Sequence, residues 1–203
     1  MMLLGGLSMA WADVPLPQME QITAGQKEKV QAIFDQQQRN FAEACTSVKL
    51  LKASALSVAE PIMVAADGKL TAGHWRVRYD VDACGKAGLR TVDMHVVPGG
   101  IAIEPLTPGG TLADAKLQAD VAHSFAMAGY VAMPQCTQDP MVRDTKVQIY
   151  PGTAKERWQE IWIGSMCGRD LGQVVEFLPT KNGTTFKMSL PVKAAKAAPK
   201  AAQ

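Results

Sequence analysis

The chain is short of the side chains that carry most enzyme chemistry. Only three histidines, His74, His95 and His123, occur in 203 residues. No Cys-x-x-Cys pair exists, and no two of the four cysteines lie closer than 31 positions. That spacing excludes a dithiol redox motif and a zinc knuckle, so no metal or cofactor is expected. The patterns G-x-S-x-G, H-E-x-x-H and the calcium loop are missing as well. Their absence removes the local signatures of three large enzyme and ion-binding classes. Two glycine pairs, Gly99-Gly100 and Gly109-Gly110, lack a following Lys-Ser/Thr and are not phosphate loops. The second pair opens a helical stretch, a generic anion-friendly end, and reads as a connector.

Excess charge is also lacking. The formal net charge is +2, and three lysines (Lys193, Lys196, Lys200) stand at the C-terminal end. Without them, 18 basic residues face 19 acidic ones. A body so balanced offers nothing to nucleic acid. The segment from Val192 onward is rich in Ala, Lys and Pro and lacks large apolar residues, so a flexible tail over 191–203 is expected. Its lysines give only weak, salt-sensitive attraction to an anionic surface. No run is long enough to span a bilayer.

The apolar fraction, 47%, is sufficient for a core. Residues 1–12, MMLLGGLSMAWA, carry no charge and end in Ala-Trp-Ala before Asp13-Val14-Pro15. This has the apolar core and small-x-small cleavage site of a secretory signal. It lacks the basic residue that normally leads such a run, so the true start codon is expected upstream. Export agrees with the cysteines. Cys45, Cys84, Cys136 and Cys167 are four, an even number, and read as two disulfides in an oxidising compartment.

What is present twice is more informative. Trp75 and Trp158 stand 83 positions apart, as do Tyr79 and Trp162, Cys84 and Cys167, Gly85 and Gly168, and Lys86 and Arg169. An apolar run ending in proline follows each triplet, to Pro98 and to Pro179, so the second copy is expected to be two residues shorter. A helical stretch precedes each. Val30, Ile33, Phe34, Phe41 and Ala44 share one face of the first, with Thr23 and Gln26 at capping-box spacing. Leu117, Val121, Phe125, Ala128 and Ala132 form the stripe of the second, with Thr111 and Asp114 spaced as a cap and its partner, and Pro134 ends it.

The order helix, cysteine, strand, Trp-bearing strand, Cys-Gly, strand, strand therefore occurs twice. The expected fold is α+β: two similar halves in a pseudo-two-fold arrangement, each an amphipathic helix packed on a small, mostly antiparallel sheet. The expected divisions are 13–107 and 108–190, with the boundary in Glu104–Gly110. In each half the Trp-bearing strand and the next should be joined by a hairpin, which in the first half is CGKAGL.

Duplication favours cysteine pairing within each half, Cys45–Cys84 and Cys136–Cys167. The loops closed, roughly 40 and 32 residues, contribute about 3.5–4 kcal/mol apiece in the chain-entropy model. The rival pairing, Cys84–Cys167, joins equivalent positions across the halves. Cys84 has opposite parity to Trp75, so the within-half bond requires a bulge near Ala83 or a strand that ends before the cysteine.

Two groups of residues remain as candidate sites. His74, Asp80, Asp82 and His95 fall on the polar faces of adjacent strands, where they could gather or simply be solvated. Trp75, Tyr79, Trp158 and Trp162 could line a ligand groove, and as large aromatics at equivalent positions they equally suit a core. No catalytic residue is assigned. The expected function is a non-catalytic exported binding or assembly protein, periplasmic or secreted. Its expected partner is another envelope or periplasmic protein that it serves as an accessory subunit. The alternatives are a hydrolase-type periplasmic enzyme with a dispersed site and a small-ligand binder between the halves.

Overall fold

The computed structural model describes residues 22–23, 25–41, 45–153, 156–189 and the backbone of 192–193. The expected signal, 1–12, lies outside the described residues. So does the expected tail, apart from Val192–Lys193, which form a short strand. The class is α+β; the described residues form two helices and two antiparallel sheets.

Helix α1 (Lys27–Arg39) precedes strands β1 (Lys49–Val64), β2 (Leu70–Ala83), β3 (Lys86–Val97) and β4 (Gly100–Pro105). These four pair in chain order. Helix α2 (Ala115–Ala132) precedes β5 (Met141–Ile149), β6 (Trp158–Met166), β7 (Arg169–Thr180) and β8 (Gly183–Met188), which again pair in chain order. Strand β9 (Val192–Lys193) pairs with Leu171 and Gly172 of β7.

Alternation decides which face is buried. On β2, Trp75, Val77, Tyr79 and Val81 are buried together with Val30 and Phe34 of α1 and Val92 and Met94 of β3. The Phe34 and Tyr79 rings meet edge to face at 5.9 Å. The second cluster joins Leu117, Val121 and Phe125 of α2 to Trp158, Trp162 and Met166 of β6 and Val175 and Phe177 of β7. Gly164 has no room for a side chain, because a Cβ there would lie 2.8 Å from the Phe125 ring.

Helix α1 also completes the exposed start of β1. The Gln31 amide donates to Val48 O and accepts from Leu50 N, and Asp35 accepts from Val48 N at 2.9 Å. Side chains here take the ladder bonds that an edge strand leaves open.

The helix termini differ from the expected capping. Gln26, not Thr23, is the N-cap of α1, and it makes no side-chain cap bond. The cap of α2 is Asp114, which accepts from Leu117 N at 2.8 Å, while Thr111 accepts from Ala113 N outside the helix. Asp is as good a cap as Thr, and the residue one turn closer to the apolar stripe takes the role. Phe41 is buried but lies beyond the end of α1 at Arg39, and Ala44 falls outside the described residues.

The hairpins are tighter than the six-residue connection expected. Ala83 pairs with Lys86 and Met166 with Arg169, so each turn is two residues, Cys-Gly. Both central residues have positive φ: 53° and 80° at Cys84 and Gly85, 49° and 70° at Cys167 and Gly168. This is the signature of the type I′ turn, whose twist matches the flanking strands. The disulfides are Cys45–Cys84 and Cys136–Cys167, with Cα separations of 5.8 and 6.0 Å. Strand β2 ends before Cys84, and the turn reorients the sulfur. That resolves the parity conflict without a bulge at Ala83.

The second copy is not two residues shorter. Trp75 pairs with Met94 and Val97 with Gly100; Trp158 pairs with Phe177 and Thr180 with Gly183, each partner 83 positions on. The prolines were a false landmark, because Pro98 lies in the β3–β4 turn and Pro179 inside β7.

Candidate functional site

The strand residue that alternation assigns to an apolar row on β6 is Glu160, and it is completely buried. Its carboxylate is held by three donors. Trp158 Nε1–H donates to Oε1 and Trp162 Nε1–H to Oε2, each at 2.9 Å, and the Leu112 backbone N–H donates to Oε1 at 2.8 Å. Residues at i−2 and i+2 on a strand share a face with residue i, so the two indoles flank the carboxylate by geometry. A buried carboxylate needs such partners, since desolvation otherwise outweighs folding.

A cation answers it from the first sheet. Arg78 of β2 donates from Nη2 to Thr111 O at 3.1 Å. Burial lowers the Arg78 pKa from its ordinary value, and the fields of Tyr150 and Glu160 oppose that shift. The segment between the sheets is fastened on both sides. Gly109 N–H donates to Leu89 O of β3, and Gly110 N–H to Thr145 O of β5. Thr145 Oγ1 donates to Pro108 O and accepts from Thr111 N–H, each at 3.0 Å. Gly109 has φ +103°, and a Cβ there would lie 2.2 Å from Thr145 N. Residues 108–112 thus lie between Leu89 of β3 and Thr145 of β5.

Of the four polar-face candidates, the structure brings together two. His74 and His95 are cross-strand partners with ring centroids 6.0 Å apart. Asp80 pairs instead with Lys52 at 3.6 Å, and Asp82 accepts from Gly85 N–H in the turn. The carboxylate at His74 is Asp93, 2.5 Å from Nε2, and its other oxygen accepts from the buried Arg76 Nε at 3.1 Å. Sequence spacing hid Asp93, because a diagonal neighbour depends on register. Among the described residues, no group of three or more His, Cys, Asp or Glu could hold a metal ion. His123 is exposed on α2.

The four aromatic candidates, Trp75, Tyr79, Trp158 and Trp162, are all buried. Trp158 stacks on Phe177 at 4.6 Å. Trp75 and Tyr79 flank Val77 as Trp158 and Trp162 flank Glu160, 83 positions earlier. Burial pushes the Tyr79 phenol up to about 12. Among the described residues, no helix is long and apolar enough to cross a membrane.

Comparison with known proteins gives no match to a family model, a curated protein or a solved structure.

Proposed function

We propose that this is an exported, non-catalytic binding protein, an accessory subunit of a periplasmic or envelope complex built by duplication of one disulfide-clamped unit, with the divisions 13–107 and 108–190. Several coincidences beyond the tryptophan spacing support the duplication. Val30 and Val121, Phe34 and Phe125, and Cys45 and Cys136 are each 91 positions apart. One of the five register breaks of β1, between Leu50 and Lys52 opposite Val81 and Asp80, matches one of the two of β5, between Val142 and Asp144 opposite Gly164 and Ile163. The opposing residues again differ by 83.

Two disulfides in a chain with a signal-like start favour an oxidising compartment. The observation that carries the binding role is on α2. Met127, Tyr130 and Val131 recur at helical spacing and are exposed, Val131 by 78%. Apolar side chains grouped on one helix face suit a protein partner. The hydrolase alternative would need a nucleophile at His74, yet the carboxylate that orients that ring is shared with Arg76, and among the described residues no hydroxyl or thiol bonds to the ring.

The test is gentle extraction of the native envelope fraction, capture of the chain and mass spectrometry, run in parallel with M127E/V131E. A partner recovered with the wild type and lost with the variant supports the subunit role. Recovery of this chain alone overturns it.

A further inference from the structure

We infer that His74 of β2 and His95 of β3 form a surface site for one divalent transition-metal ion of the zinc or copper type, with Asp93 and Arg76 as the groups that orient it. The cysteine spacing that excludes a zinc knuckle does not bear on this pair.

The two histidines are cross-strand partners, which brings their Cβ atoms within about 4.5–5.5 Å of each other on one face. Their ring centroids are 6.0 Å apart and the ring planes are inclined by 74°. An imidazole nitrogen meets zinc at about 2.0–2.1 Å, so the ion lies about 3.2 Å from the ring centre, and two rings on one ion have centres up to about 6.4 Å apart. The observed spacing lies inside that limit. Among the described residues the His95 ring makes no hydrogen bond or ion pair, so it is free to turn toward a shared ion.

His74 is held ready on its other side. Its Nε2 faces Asp93 Oδ2 at 2.5 Å, and the second Asp93 oxygen accepts from Arg76 Nε at 3.1 Å. A carboxylate only accepts, so Nε2 carries the proton and Nδ1 keeps its lone pair. The Arg76 and Asp93 side chains are 5% and 11% exposed, which fixes this support in the interior, while the His74 side chain is 29% exposed and can be reached from solvent. A metal-binding imidazole almost always donates its other N–H in this way, and the carboxylate sets both its tautomer and its orientation. Imidazole suits zinc, copper and nickel, whereas calcium and magnesium take oxygen ligands. Among the described residues no group of three or more His, Cys, Asp or Glu could hold an ion, so water completes the coordination of this two-histidine site. At an offset of 83 positions from the pair stand Arg157 and Leu178, so the second sheet does not repeat it.

The experiment titrates the full chain with zinc chloride and follows it by calorimetry and by NMR of the imidazole nitrogens. The expected result is saturable uptake of one ion per chain, with the His74 Nδ1 and one His95 ring nitrogen shifted and those of His123, exposed on α2, unmoved. Copper(II) competes for the same site and binds more tightly than zinc. His95→Ala abolishes uptake, and His123→Ala binds as the wild type does. Asp93→Asn keeps both ligands and weakens binding about 10–100-fold. Absence of saturable uptake overturns the proposal, as does uptake undiminished in His95→Ala or coordination through His74 Nε2. If Asp93→Asn fails to fold, His95→Ala removes no hydrogen bond and still decides the site.

Discussion

Arg78 and Glu160 hold opposite ends of one peptide group. The guanidinium donates to the oxygen of Thr111, and the N–H of the same peptide, on Leu112, donates to the Glu160 carboxylate. A cation from β2 and an anion from β6 thereby polarise a single amide between them, an arrangement in which each bond strengthens the other. At an offset of 83 positions from Arg78 and Glu160 stand Ile161 and Val77, so neither charge recurs at that spacing.

Replacing Glu160 by Val, the residue found at position 77, should be severe. It strands the Trp158 and Trp162 indoles and the Leu112 N–H without an acceptor. At about 1–3 kcal/mol per buried orphan, the expected loss is about 3–9 kcal/mol. Glu160→Gln keeps the shape but turns an NH2 toward a donor, and about 1–3 kcal/mol should go. Urea unfolding measures both; a Gln variant as stable as the wild type would contradict the hydrogen-bond assignment.

Arg78 and Glu160 should be energetically coupled. In a double-mutant cycle of Arg78→Met and Glu160→Gln, the interaction energy is expected to fall between about 0.5 and 3 kcal/mol, favourable in sign. Strict additivity would show that the shared peptide transmits nothing.

Tyr79 should make stability fall at high pH. Its pKa is raised from 10.0 to about 12 by burial, so between those values the unfolded chain loses this proton while the folded chain keeps it. The unfolded state then binds fewer protons, and the slope of unfolding free energy against pH is negative. The stabilisation is intact below pH 10 and is lost as pH rises through 12. Tyr79→Phe should flatten this limb in unfolding curves collected from pH 9 upward. An unchanged slope would mean that other groups cause it.

The glycines of the two turns and of the seam should separate two costs. At Gly85 and Gly168, nothing lies within 4 Å of an added Cβ, so Ala there costs only the positive φ, about 1 kcal/mol each. At Gly109, Ala would meet the backbone of Thr145 at 2.2 Å, and that backbone cannot rotate away. Thermal melts should rank Gly109→Ala well below the other two. Equal effects would show that the seam yields.

Breaking either disulfide should destabilise the protein by a similar amount, about 3.5–4 kcal/mol in the chain-entropy model. Cys45→Ala/Cys84→Ala and Cys136→Ala/Cys167→Ala close off one bridge each. Calorimetry that finds one pair indispensable and the other neutral would argue against two equivalent clamps.

Much of the fold was legible because it is local or periodic. Alternation located β2 and its buried face, and the apolar stripe of α2 located that helix. The cysteine spacing, set against the repeat, selected the observed bridges. The capping residues were misplaced by about a turn, since Thr23, Thr111 and Asp114 all have the chemistry of a cap and only the helix axis chooses among them. The prolines misled because proline ends a strand only where its missing N–H would be needed, and Pro179 occupies a position where β7 continues.

The candidate site was less legible, for a reason of distance. His74 and Asp93 are 19 residues apart and meet only through the β2–β3 register. Glu160 interrupts the apolar alternation of β6, and its partner Leu112 is 48 residues away. The amino-acid order alone determined the two bridges and the strand faces, because these depend on spacing within a short stretch of chain. The tertiary structure alone decided that a carboxylate could be buried on β6 and that residues 108–112 would lie between the sheets, because each depends on which distant groups share a dry interior.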